Sequence, residues 1–183
     1  MHIFFLLSII GCLTIIAFQD FSQRSVTLWV LVVLLAASSG LSWTESNWNS
    51  LLHKTYPTAG FLILVLSVLL LYYRIKGQKI KDVVDQKLGM GDILFLAAVI
   101  PLFSLTGFIV FFLSSLIIIL IGALVYEKTT RKGTLIPLAG LQALCLITTL
   151  GLNELFWKQT YTGGFMFADI LWTRLQNIMG TGA

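Results

Sequence analysis

LGMGDILFLAAVIPLFSLTGFIVFFLSSLIIILIGALVY, residues 88–126, carries one charged side chain, Asp92, in 39 positions. As one helix it would be about 58 Å long at a rise of about 1.5 Å per residue. The hydrocarbon core of a bilayer is about 30 Å thick. The run therefore holds two membrane spans, 88–102 and 105–126, with Pro101 and Gly107 marking the break between them.

The rest of the chain reads in the same way. Residues 2–19 form a first span that stops at Asp20, before the short polar connector 21–25. This opening segment has no basic start and no small-residue cleavage site, so it reads as a retained span and not a signal peptide. A second span covers 26–41. The stretch 42–55 is polar and reads as a connector, with Trp43 and Trp48 as anchors at the membrane interface. A third span covers 56–73, with Pro57 in its first turn, and a sixth covers 135–152. The expected fold is an all-α polytopic helical bundle of about six spans. It is divided into a core, 1–152, and a tail, 153–183, in which 165–179 resembles an amphipathic interfacial helix.

Composition agrees. Of 183 residues, 57% are hydrophobic and 11% charged, against about 25% charged in soluble domains. Mean hydropathy is +0.93. A soluble enzyme, a disordered chain and a disulfide scaffold all fit poorly. The formal charge of +4 comes without a basic stripe interleaved with aromatics, so nucleic acid is not the expected partner. Membrane lipid is. Placing the amino terminus outside puts nine Lys/Arg in the three cytoplasmic loops, 19–25, 74–87 and 127–133. Three, Lys54, Lys158 and Arg174, stay outside. That bias supports a multi-pass protein of the cytoplasmic (inner) membrane with both termini outside.

Acidic residues are scarce, and two of them reach similar depth at the cytoplasmic side. Asp20 closes the first span and Asp92 opens the fourth. Asp20 alone also suits the plain role of ending a span. Asp92 is followed by an uncharged run, and ionisable groups at such depth usually face a bundle interior or a wet cavity. Gly89 and Gly91 precede it, which permits an irregular or closely packed helix start. Small-residue helix packing explains the same glycines. Two carboxylates in one site share a proton. The charged member can act as a general base on water, while the protonated member polarises a carbonyl or protonates a leaving amine. Other chemistries lack their residues. His2 and His53 fall on the outer side, no HExxH is present, and Cys12 and Cys145 lie inside apolar runs as packing residues. No metal and no organic cofactor is expected.

Around Asp20 and Gly89-Met90-Gly91-Asp92 the chain resembles the prepilin peptidase family, the type IV leader peptidases and their archaeal preflagellin relatives. These are integral membrane aspartic proteases of the G-x-G-D kind. After Asp20, Arg24 and Val26 match the family, while Thr27 and Leu28 stand where Pro-Asn commonly follows. A lysine often found soon after the second aspartate is absent. A third likeness lies at residues 133–140, where Ile136-Pro137 and small residues open the last core span. The resemblance covers about residues 1–150. It implies that Asp20 and Asp92 are catalytic, that Gly89 and Gly91 shape the approach to Asp92, that Arg24 tunes Asp20 or holds a backbone carbonyl, and that Pro137 frames the cavity. The implied substrates are pilin-like precursors, cut at the cytoplasmic face between a short basic leader and an apolar helix. Lys79 and Lys81 read as topology markers, and being basic they would repel rather than hold a basic leader. The paired-cysteine region linked to methylation in many bacterial members is missing, so cleavage without methyl transfer is expected. Two other readings remain from the residues alone: a small transporter using intramembrane acids, and a non-catalytic scaffold of a secretion or pilus system. Transport is disfavoured because the acids gather at one face and no inverted repeat is apparent.

Overall fold

A computed structural model describes residues 1–23, 25–45, 48–77, 89–130 and 138–156. Among these residues the chain forms α1 (His2–Gln23), α2 (Leu28–Glu45), α3 (Trp48–Ile75), α4 (Met90–Val99), a single 3₁₀ turn (Ile100–Leu102), α5 (Leu105–Thr130) and α6 (Leu138–Phe156). Helices α1 and α3 and the Leu105–Gly122 part of α5 are long and apolar enough to cross a membrane. The shorter apolar stretches Leu28–Thr44, Met90–Leu102 and Leu138–Gly151 pack among them. The protein is a membrane-embedded, multi-span helical bundle. Helices are the outcome because lipid offers no partner to a backbone N–H or C=O, and an α-helix satisfies both internally.

The helices show no polar outer stripe, since their outer faces meet lipid. Ile63, Leu64, Val68 and Leu71 of α3 are exposed, as are Leu113, Ile117, Ile118 and Ile121 of α5. Helix α1 is the hub, packing most extensively against α6 and α2. Its inward stripe is Ile9, Cys12, Leu13, Ile16, Ala17 and Asp20, at the three- and four-residue spacing of one helix face. A Phe cluster ties α3 to α5: the Phe61 ring lies 6.2 Å from Phe108 and 6.5 Å from Phe112.

Several boundaries differ from the sequence reading. Helix α1 does not stop before Asp20 but runs three residues beyond it. Most of the polar stretch 42–55 is helical, not a connector, because its hydroxyls turn back onto the preceding turn. Thr44 Oγ1 donates to the Leu41 carbonyl at 2.7 Å, and Thr55 Oγ1 to that of Leu51 at 2.8 Å. Pro57 is consequently inside α3 and not in its first turn. Trp43 and Trp48 flank the α2–α3 junction, both exposed, with rings edge to face at 5.5 Å. Of the two expected break residues only Pro101 sits at the break; Gly107 lies within the first turn of α5. That turn is capped by Ser104, whose Oγ accepts from the Gly107 N–H at 3.3 Å. Helix α6 continues four residues past 152, to Phe156. Of the expected basic loops 74–87 and 127–133, residues 74–75 still belong to α3 and 127–130 to α5, which runs past its expected end at 126. The loops from 78 and from 131 onward, and the expected interfacial helix at 165–179, lie outside the described residues.

The break after α4 is held by two serines one turn apart on α2. Ser38 Oγ donates to the Ala98 carbonyl at 2.8 Å, and Ser42 Oγ donates to the Pro101 carbonyl. Both serines are buried. Carbonyls released by the interrupted helix thus receive donors from a neighbour, which is what an interior without water requires.

Candidate functional site

Asp20 lies in the last turn of α1. It is the final member of the inward stripe, four residues after Ile16, so the same periodicity that buries the apolar side chains buries this carboxylate, to 7% exposure. Gln19 beside it holds the start of the next helix, its Oε1 accepting the Thr27 N–H at 3.0 Å. The α1–α2 connection is thereby tied back onto the turn that carries Asp20.

Asp92 lies in the first turn of α4 and is half-buried. The chain reaches it through Gly89, whose φ is +66°, and the Asp92 N–H closes the turn onto the Gly89 carbonyl at 3.2 Å. A Cβ on Gly89 would sit 2.8 Å from Asp92 Oδ2. Glycine is required here twice over, by the left-handed backbone and by the carboxylate folded over it. Gly91 is different. A Cβ there would meet Val26 at 3.5 Å, an ordinary contact, so neither space nor backbone conformation requires glycine at this position.

The two acids converge on the start of α6. The Gly140 N–H donates to Asp20 Oδ2 at 2.6 Å, in a buried hydrogen bond. The Asp92 carboxylate lies within electrostatic reach of the Asp20 carboxylate and of the Ala139 backbone beside it. Residues 139 and 140 are the second and third of the helix, where N–H groups have no intrahelical acceptor. The helix start also carries roughly half a positive charge. The helix start therefore offsets the repulsion between the two carboxylates, and the Gly140 amide fixes Asp20 in place. Close approach is needed for this: a Cβ on Gly140 would lie 3.1 Å from Asp20 Oδ2 and 3.3 Å from the Phe21 ring.

Three of these features escape a reading of residue types alone. Gly140 belongs to the third motif but does not stand out there as a ligand of Asp20. The inward direction of Asp20 shows only when the α1 stripe is extended to it. Gln142 is the third. It is fully buried on the face of α6 that also buries Ala139, Ala143, Leu146 and Leu150, and neither its Oε1 nor its Nε2 has a hydrogen-bond partner. An unpaired buried amide costs about 1–3 kcal/mol. Arg24 and Pro137 lie outside the described residues. Cys12 is buried in the core and Cys145 is partly buried, both as free thiols. Among the described residues no group of three or more His, Cys, Asp or Glu side chains comes together.

Comparison of the chain with known proteins finds no matching family model, no matching curated protein and no matching solved structure. The likeness to prepilin peptidases rests on the motifs at Asp20, Gly89–Asp92 and residues 133–140.

Proposed function

We propose that the chain is an integral membrane aspartic endopeptidase of the prepilin peptidase kind. It removes the short leader from pilin-like precursors at the cytoplasmic face. The observation that supports this reading is the burial of Asp20 on the Gly140 amide at the start of α6, with Asp92, 72 positions on in sequence, within electrostatic reach of it. In this reading all six helices belong to a bundle crossing the inner membrane with both termini outside, supported by the nine basic residues of the cytoplasmic loops.

The chemistry follows from a pair that shares one proton. The ionised carboxylate takes a proton from water as the water oxygen bonds to the scissile carbonyl carbon. The protonated partner gives its proton to the carbonyl oxygen. The resulting tetrahedral diol collapses: the C–N bond breaks, the departing amine takes the proton first removed from water, and one diol hydroxyl returns its proton to the partner carboxylate as the new C=O forms. The Gly140 amide holds Asp20 in place throughout and changes no bond. A precursor's apolar helix would enter from lipid, leaving its leader junction at the depth of the two acids. No metal or cofactor takes part.

Co-expression with pilin-like precursors tests this. Wild type produces a leader-sized mobility shift that Asp20→Asn and Asp92→Asn both lose. Normal processing by either variant removes the paired-acid assignment. A transporter would instead show ion flux in proteoliposomes dependent on the two acids. A scaffold would keep its assembly role in both variants.

A further inference from the structure

We propose that Gln142 is a positioning residue of the same site. Its carboxamide holds a water molecule against the Asp20–Asp92 pair. The proposal rests on the peptidase reading for its functional consequence, but its structural content stands without it.

Three observations lead here. Gln142 is fully buried with both polar atoms unpartnered, in an interior where other hydroxyls and carboxylates have found partners. It lies two residues after Gly140, whose amide binds Asp20, and three after Ala139, with which it shares the inward face. Side chains on an α-helix lean toward its N-terminus, over the turn before their own. The carboxamide of Gln142 is therefore carried back over the turn that seats Asp20. An amide offers both a donor and an acceptor, and a carboxylate pair with one shared proton does as well. A single water bridges such groups with its hydrogen bonds filled. A Leu or Met at this place would pack equally well against Ala143 and Leu146 and leave nothing unpaired. A substrate backbone is a poorer occupant, because the Gln142 atoms are sealed from the surface. Among the described side chains, the titratable ones on the inward faces of α1, α4 and α6 up to residue 151 are Asp20, Cys12, Asp92 and Cys145; the inward faces of α2 up to residue 44 and of α5 up to residue 122 contribute none.

The test uses the full-length protein in detergent, with Gln142→Met and Gln142→Asn. The carboxylic C=O stretch of the pair is followed by infrared titration and assigned with Asp20→Asn and Asp92→Asn. Gln142→Met is expected to shift the band and its titration midpoint, while its thermal unfolding stays at or above that of wild type. With a pilin-like precursor, kcat falls by up to about 100-fold at unchanged KM, as for a misplaced reacting group. Gln142→Asn, which retains a carboxamide on a shorter stem, recovers part of the loss. Should Gln142→Met fail to accumulate, Gln142→Asn must shift the same band. An unmoved band, or wild-type kcat in Gln142→Met, overturns the proposal. A shifted band in a protein whose wild type cleaves no precursor retains the positioning role and removes the peptidase reading instead.

Discussion

Helix α4 has a polar site at each end, and the two are built differently. At its C-terminal end the proline break frees backbone carbonyls, and Ser38 and Ser42 answer them with neutral donors. Each group there meets a partner of matching kind. At its N-terminal end Asp92 lies within electrostatic reach of a second acid, Asp20, which is buried on the Gly140 amide, with an unpartnered glutamine on the adjoining face of α6. The first arrangement lowers the energy of the fold. The second raises it locally, and the surrounding helices must make up the difference. Strain and unmet polarity of this sort gather at sites that do chemistry. The contrast teaches that buried polarity in a membrane bundle is no sign of function until its partners are counted.

The contrast can be broken most directly at the acids. Asp20→Asn and Asp92→Asn should each lower precursor cleavage by roughly 10²–10⁴-fold, the range of a lost general acid or base. They should leave the bundle folded by circular dichroism. Unfolding of both variants without any wild-type cleavage would make the N-terminal site structural, like its counterpart. Gly89→Ala comes next. The left-handed backbone alone costs about 1–3 kcal/mol, and the new methyl displaces the Asp92 carboxylate. Cleavage should fall steeply and thermal stability with it.

At the other end of α4 the expected effect is on stability alone. Ser38→Ala leaves the Ala98 carbonyl unpaired and should destabilise by about 1–3 kcal/mol, read from thermal unfolding in detergent. The cleavage rate of the folded fraction should stay unchanged. A fall in that rate would tie the two ends together. The smallest effect belongs to Gly91→Ala. Its methyl finds ordinary contact with Val26, and alanine is the better helix former by about 1 kcal/mol. Unfolding and cleavage assays should both give near wild-type values. A large loss would mean that the α4 start is more crowded than its geometry indicates.

The broad architecture is legible in the residues alone. Residues 88–126 have to break, and the helices α4 and α5 begin and end close to where length and Pro101 put them. Helix ends that carry polar side chains are harder to read. Threonine hydroxyls at residues 44, 55 and 58 bond to carbonyls of their own helices, so polarity there does not signal a loop. Asp20 illustrates the same difficulty from the other side. Its charge suggests the end of a span, whereas its spacing from Ile16 and Ala17 directs it inward.

By itself the sequence determined that this chain lives in a bilayer as packed helices, because 57% hydrophobic residues in long runs leave no other place for them. It also singled out the two acids, since charge at that depth is rare. Tertiary structure alone decided that Asp20 is buried on the start of α6, and on which donor. The first turn of α6 becomes a seat for Asp20 when Gly140 lets α1 approach closely enough for a 2.6 Å bond. No local pattern encodes that distance, because it depends on how two helices 120 residues apart in sequence come to pack.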